Sequence, residues 1–343
     1  MEFTPTFINL ITQVQTEADA YKLIEDMRWG PDREQQQCPR CHSMRKFYFI
    51  KPKDGSDTRM TNRKTPTQRR RWKCADCRHQ FSVTVDTIFH GSKVPLKVWL
   101  LIISEMCTDK NGISAREIER KYNLTAKTAW YVTHRIREAM RRDPVAGLLS
   151  GRIQVDETLI GGKTGNMHKS VRNPKKAKAV EPGERKGGPL FNKTIVLSLI
   201  SEETGEVRSK VIPDVTGNTL EKALADEIDL PNTRLVTDEG KGYRMVARST
   251  ESHETVNHAQ DEYVRTEQDG TVVTTNPIEA FFSQLKRSVD GTHHHISKEH
   301  LHRYLAEHDF RYSTRDLTDA QRMTELMSNI GGRRLSWRPL TAK

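Results

Sequence analysis

Apolar residues over 5–29 recur at helical intervals, with Ala20, Leu23, Ile24 and Met27 following Thr16, a residue type that caps helix N-termini. The period then changes. Phe47-Tyr48-Phe49-Ile50 and Gln80-Phe81-Ser82-Val83-Thr84-Val85 have strand composition, and a polar excursion from Lys51 to Arg71 separates them. Helical spacing returns over 94–140. Pro95–Met106 reads as an apolar helix, Ser114–Lys121 as a shorter one, Tyr122-Asn123-Leu124-Thr125 as a turn and Ala126–Met140 as a third helix. Three helices with a tight turn before the last make a helix-turn-helix pattern, with Ile118, Leu124, Ala129 and Val132 as its small core.

Beyond residue 150 strands and helices alternate. Arg152–Asp156, Thr194–Ile200, Val207–Val215, Thr233–Asp238 and Glu254–Asn257 read as strands, Thr219–Ile228 as a helix, and two helices close the pattern near 277–289 and 297–309. This order predicts an α/β domain with a mixed sheet. Residues 161–190, with eight Lys/Arg against two Glu and almost no bulky apolar side chains, read as a basic mobile insertion.

Composition adds a partner. The 343-residue chain carries a net charge of +11, and residues 38–80 alone hold 13 Lys/Arg against 3 Asp. Inside that stretch lie two Cys-x-x-Cys pairs, Cys38/Cys41 and Cys74/Cys77. Four thiolates at this spacing can enclose one Zn²⁺ tetrahedrally and leave no open coordination position, so the metal is structural. The 32 residues between the pairs exceed the usual ribbon spacing. His42 and His79 are the nearby alternative ligands. A basic zinc ribbon suits nucleic-acid phosphates. Arg69, Arg70 and Arg71 in the ribbon, and Lys127, Arg135 and Arg137 in the third helix, are the candidate contacts. Cys107 stands alone in an apolar helix and reads as core. No apolar run is long enough to span a bilayer. A signal peptide is not apparent, and the cysteine usage suits a reducing cytosol.

The chemistry-bearing candidates are acidic. Asp156 and Asp238 each read as the last residue of a strand, where α/β sheets place ligand groups. Each is followed by Glu (Glu157, Glu239), and alternation along a strand offers one carboxylate of each pair to a shared site. A third is expected on the helix opening Asn276-Pro277-Ile278-Glu279, with Lys286 two turns on and able to contact a DNA backbone. Three carboxylates can hold two Mg²⁺ (or Mn²⁺) for in-line phosphoryl transfer. The same four residues also read as a capping box, with Asn276 as N-cap, Pro277 at N1 and Glu279 at N3. His253, His258 and His293–His295 read as surface residues; His258 is the one most suited to a role beside the site.

The ordered set CPRC, CADC, the helix-turn-helix, VDETLIGGK (155–163), VTDEGKGY (236–243), VNHAQDEYV (256–264), TNPIEAFFSQLKR (275–287) and HHHISKEHLHRYLAEHDFRYSTR (293–315) resembles DDE transposases of the bacterial insertion-sequence group related to Merlin elements. The resemblance implies a multidomain α+β protein with an RNase H-like catalytic domain. It also implies Mg²⁺-dependent strand cleavage and strand transfer, with terminal inverted repeats and target DNA as partners. Its catalytic acids map onto Asp156 and Asp238, and its third position, Glu or Asn in this group, maps onto Glu279 or Asn276; Glu279 is preferred as the better Mg²⁺ ligand. Lys286 and Arg287 join the expected DNA contacts. The expected domains are an N-terminal helical segment (1–37), the zinc ribbon (38–90), the helix-turn-helix (91–148), the catalytic domain (149–315) and a C-terminal tail (316–343). A homodimer or larger assembly on DNA and a cytoplasmic, nucleoid-associated location are expected, with no membrane partner. Two other readings stay open: a DNA-binding regulator that has lost the chemistry, and an RNase H-fold nuclease that never joins strands.

Overall fold

A computed structural model describes residues 7–52, 58–60, 68–142, 147–161, 193–238, 240, 242–256, 264–266, 270 and 272–341. The expected basic insertion 161–190 lies, beyond Gly161, outside the described residues, as do Glu239 and His258. The chain forms two compact units, Met1–Asp143 with Thr314–Lys343, and Pro144–Ser313. Among the described residues no helix is long and apolar enough to cross a membrane.

The first unit begins with α1 (Phe7–Gln13) and α2 (Glu17–Trp29). The helical stretch divides at Thr16, the expected N-cap, whose side chain accepts from the Asp19 amide while Asp19 caps back. The ribbon follows. β1 (Phe47–Phe49), β4 (Trp72–Cys74) and β5 (Gln80–Phe81) form an antiparallel sheet in the order β1-β4-β5, and β2 (Arg59–Met60) pairs with β3 (Gln68–Arg69). Strands of two or three residues are too short to hold a sheet alone. An edge-to-face aromatic stack supports them, joining Trp29 of α2 to Trp72 and Phe81, and Phe47 to Phe81.

Glu25 of α2, fully buried, accepts from Trp72 Nε1 at 2.9 Å, from Arg70 Nε at 3.3 Å and from Arg33 Nη2 at 3.4 Å. Arg70 is 6% exposed, with its guanidinium 4.4 Å from the Phe49 ring, so it is a structural ion-pair partner and not the expected DNA contact. Glu25→Ala leaves Arg70 without this partner inside the fold and should destabilise the unit by about 3–5 kcal/mol. Urea unfolding of zinc-loaded protein checks this; an unchanged midpoint would contradict the assigned role.

Helices α3 (Leu96–Thr108), α4 (Ala115–Lys121) and α5 (Ala126–Met140) reproduce the helix-turn-helix pattern. Glu17 of α2 accepts from the Leu96 and Lys97 amides at 2.7 and 3.2 Å and so caps α3 from another helix. Ile118, Ala129 and Val132 are buried as expected, while Leu124 is half-buried. Arg135 and Arg137 correct the reading of this helix. Arg135 is 2% exposed, donates to the His90 carbonyl at 2.7 Å and lies by the Trp99 and Tyr131 rings. Arg137 is buried and donates to Thr133 Oγ1 at 3.2 Å. Both guanidinium groups are thus turned into the fold, whereas Lys127 is exposed, with its ammonium 4.4 Å from the Trp337 ring.

The expected tail packs back through its described residues, 316–341. α10 (Asp319–Ser328) packs on α2, α3 and α5, Gly331 pairs with Thr87, and α11 (Trp337–Thr341) sets Trp337 against Trp130 and Tyr131 of α5.

The second unit is built on a five-stranded sheet. Its strands are β6 (Leu149–Ile160), β7 (Thr194–Ser201), β8 (Val207–Ile212), β9 (Ile228–Asp238) and β10 (Ser252–Val256), in the order β10-β9-β6-β7-β8. β7 runs antiparallel to both β6 and β8, while β9 lies parallel to β6 and β10 parallel to β9. Helices cover both faces. α6 (Gly217–Ala225) and α7 (Tyr243–Val246) pack Leu220, Leu224, Tyr243 and Val246 on Ile153, Val155, Leu199 and Leu235. On the other face α8 (Asn276–Arg287) and α9 (Lys298–Ser313) pack Ile278, Phe281, Leu285, Leu301 and Leu305 on Ile160, Val196, Ile200 and Val207. A short hairpin, β11 (Val264–Thr266) with β12 (Val272–Thr274), leads into α8. Antiparallel β6–β8 followed by parallel β9 and β10, with helices on both faces, is the RNase H-like arrangement. α8 runs into a π-helical turn, Ser288–His293, after which His294 and His295 are exposed and His293 packs on Tyr304.

Candidate metal centres and acidic site

The four cysteines converge. Their sulfurs lie within 4.8 Å of one another, with Cys38–Cys77 at 3.6 Å and Cys41–Cys74 at 3.7 Å. Zn–S bonds of about 2.3 Å in a tetrahedron put sulfurs about 3.8 Å apart, so the donor set fits zinc. The two knuckles share one backbone design. In each, the amide of the first cysteine donates to the carbonyl five residues on (Ser43, His79), and the residue after the second cysteine turns left-handed, His42 at φ 55° and Arg78 at φ 57°. Ser43 Oγ donates to Asp76 and ties one knuckle to the other. Burial opposes ionisation of Cys38, yet the Cys41 and Arg40 amides and the neighbouring sulfurs bring its thiol down to about 7. His42 is exposed and His79 stacks on Phe81, so neither joins the sulfur cluster.

The acidic site sits on the sheet face covered by α8. Asp238 is the last residue of β9, as expected. Asp156 is not a strand end: β6 continues through Thr158, Leu159 and Ile160, held by pairing of Asp156 with Ser198 and of Ile160 with Thr194 on β7. The parallel register of β6 and β9 runs from Arg152–Arg234 to Gln154–Val236. The ladder ends there, and Asp156 and Asp238 each follow two residues after those last partners on adjacent strands, which turns both to the face of Gln154 and Val236. Glu157 points to the opposite face, where Tyr243 Oη donates to its Oε2 at 2.5 Å. The Gly240 amide donates to Asp238 Oδ1 at 3.0 Å. A Cβ at residue 240 would meet that oxygen at 2.9 Å and the Tyr243 ring at 3.1 Å, so the turn passes there as glycine.

Glu279 is exposed on the first turn of α8 and accepts from Thr275 Oγ1 at 3.1 Å. The capping reading of this segment is corrected. Thr275 is the N-cap, Asn276 the first helical residue, and no side-chain cap bond forms. Lys286 and Arg287 are exposed on the last turn of α8.

Electrostatics joins the three carboxylates. Burial, then the charges of Glu157, Asp238 and Glu279, pushes Asp156 up to about 7, against the pull of the Glu157 amide on its Oδ1 at 2.7 Å. Burial also raises Glu157 and pushes the Tyr243 phenol well above its ordinary value. A divalent cation relieves such crowded negative charge, and an all-oxygen donor set suits a hard ion such as Mg²⁺. Among the described residues the cysteines are the one set of three or more candidate ligands drawn within 4.8 Å.

Sequence reasoning missed Tyr243 and Thr275 as neighbours of the site. Both stand in segments already marked by their acids, and a buried tyrosine hydroxyl calls for a polar partner.

Residues 148–313 match the ISXO2-like transposase domain, and residues 15–80 match the transposase zinc-ribbon domain. The first match nearly coincides with the second structural unit, and the second takes in α2 together with the ribbon it supports. No curated protein matches the chain. The chain therefore carries a transposase zinc-ribbon domain followed by an ISXO2-like domain of the DDE transposase family.

Proposed function

We propose that this protein binds the terminal inverted repeats of a mobile element, cleaves DNA strands there and joins the freed ends to target DNA. The observation that carries this reading is the placement, inside the region matching a transposase domain, of Asp156 and Asp238 on adjacent strands with Glu279 on the first turn of α8; burial and the charges of Glu157, Asp238 and Glu279 raise the Asp156 carboxyl in keeping with it. Asp156, Asp238 and Glu279 would hold two Mg²⁺ or Mn²⁺ ions. When bound, the ions supply activation of the attacking hydroxyl and stabilisation of the leaving oxygen. The chain's own groups orient the ligands: the Glu157 amide fixes Asp156, the Gly240 amide fixes Asp238 and Thr275 fixes Glu279. Asn276 is the alternative third ligand, but it lacks the charge that acts on Asp156. Lys286 would contact the backbone near the scissile phosphate. Water attacks first and frees a 3′-hydroxyl, which then attacks target DNA, with no covalent protein–DNA intermediate. Because two ends are joined, we expect a dimer or larger assembly.

The test is cleavage of end-containing DNA with Mg²⁺ or Mn²⁺, followed by supply of pre-cut ends. Cut and joined products together support a transposase. Cutting without joining marks a nuclease, and binding without either marks a regulator.

DNA affinity should come from exposed cations, namely Lys127, Lys286 and Arg287, with half-buried Arg69 and Arg71 contributing from the ribbon. Lys127→Ala is expected to weaken binding and to reduce the slope of log affinity against log salt by about 1. Arg135→Ala should lower the melting temperature and leave that slope unchanged. The reverse pattern would contradict the assignment.

A further inference from the structure

The hydrogen bond between Tyr243 and Glu157 lies behind the sheet, on the face away from Glu279 and α8. The backbone ladder between β6 and β9 has Gln154 and Val236 as its last partners, two residues before Asp156 and Asp238. Past that point, among the described residues, a cross-link between the two strand ends runs through Tyr243. Its hydroxyl, on a residue 1% exposed, donates to Glu157 Oε2 at 2.5 Å. The Glu157 amide in turn donates to Asp156 Oδ1 at 2.7 Å. The Tyr243 amide donates to the Gly240 carbonyl at 3.1 Å, and the Gly240 amide donates to Asp238 Oδ1 at 3.0 Å. One residue thus reaches both aspartates, through its side chain on one side and its backbone on the other.

We propose that the Tyr243–Glu157 hydrogen bond is a positioning strut that fixes Asp156 and Asp238 in one geometry for divalent-ion binding. The inference rests on the reading of these carboxylates given above. Tyr243 and Glu157 are positioning residues: neither faces the side of the sheet that carries Asp156. The phenol ring is already held by the apolar cluster of Leu220, Leu235 and Val246, so the hydroxyl is not needed to bury the ring. What the hydroxyl adds is direction, because Glu157 can accept it only while the peptide carrying the Asp156 contact keeps its present orientation. Outer-shell bonds of this kind typically change metal affinity by about 10- to 100-fold.

The test is titration of zinc-loaded full-length protein with Mn²⁺ alone, read by calorimetry or by the Mn²⁺ resonance signal, with a melting curve for each variant. Y243F should lose about tenfold in Mn²⁺ affinity while keeping a cooperative transition. E157A removes the same bond together with the charge that acts on Asp156, so the double variant E157A/Y243F should lose no more than E157A alone. E157Q keeps a carbonyl oxygen for the hydroxyl and should recover most of what E157A loses. D156N serves as the control for the site itself. If D156N binds Mn²⁺ like wild type, the carboxylate reading falls. If D156N loses Mn²⁺ while Y243F binds within twofold of wild type, the strut alone falls. Losses that add in the double variant would also overturn it. Should Y243F fail to fold, E157A against E157Q decides: equal affinities overturn the strut, and recovery in E157Q supports it.

Discussion

Asp156→Asn is expected to abolish strand cleavage and, in the same protein, to raise the stability of the metal-free fold above neutral pH. The two effects share one cause. The Asp156 carboxyl is raised to about 7 from its ordinary 3.8, chiefly by burial and then by neighbouring carboxylates. A raised carboxyl makes the ionised form costly in the folded state. The penalty is absent below about 4, where the group is neutral in both states. It grows as pH rises, and it is complete above about 7. The pKa difference corresponds to at most about 4 kcal/mol, and solvent screening at a half-buried site reduces it to roughly 1–2 kcal/mol. Asparagine cannot ionise and removes the penalty. Without the ligand, cleavage should fall by at least about a thousandfold, as when one member of a catalytic set is removed. Mg²⁺ should raise the melting temperature of wild type at pH 8 and leave the variant nearly unmoved. A variant less stable than wild type at pH 8, or one stabilised equally by Mg²⁺, would contradict this account.

Zinc removal should have the second large effect, confined to one part of the chain. β1, β4 and β5 hold three, three and two residues. Sheets of that size do not persist on backbone pairing alone. Structural zinc supplies about 10–16 kcal/mol in zinc-finger peptides. Cys38 and Cys74 are fully buried, so an empty site would bring unpaired thiols into the ribbon core. Chelation, or Cys74→Ser, is therefore expected to unfold the ribbon and release α2, whose Trp29 packs on Trp72 and Phe81. The mixed sheet of Pro144–Ser313 should persist. Hydrogen exchange resolves the two regions: loss of protection at Phe47–Phe49 and Trp72–Cys74, with β6 and β7 still protected. Uniform protection after complete removal of zinc would contradict the structural role.

Local signals wrote much of this fold plainly. The cysteine pairs, the Thr16 cap, the boundaries of α4 and α5, and Asp238 at the end of β9 all follow from short-range rules of spacing and capping. Asp156 was harder to place. A charged pair inside a strand looks like its end, because carboxylates are depleted from strands. Here β6 continues because β7 pairs along it through Ile160, a contact no local pattern records. The same reason explains the arginines. Arg70 and Arg135 sit among other cations and read as solvated, yet Glu25 and the His90 carbonyl, both 45 residues away, take them inward. The cap of α8 fell to Thr275, one residue before the expected Asn276, which leaves Glu279 on the first turn without a capping box. The return of α10 and α11 to the first unit is likewise a long-range packing event.

The central claim is that Asp156, Asp238 and Glu279 act as one metal-dependent phosphoryl-transfer site. Its most direct test supplies pre-cut element ends and target DNA to zinc-loaded protein with Mg²⁺ and scores the joined product. The account predicts joining by wild type and its loss in each of Asp156→Asn, Asp238→Asn and Glu279→Gln, with end binding retained. Joined product at wild-type levels from any one of the three would contradict it.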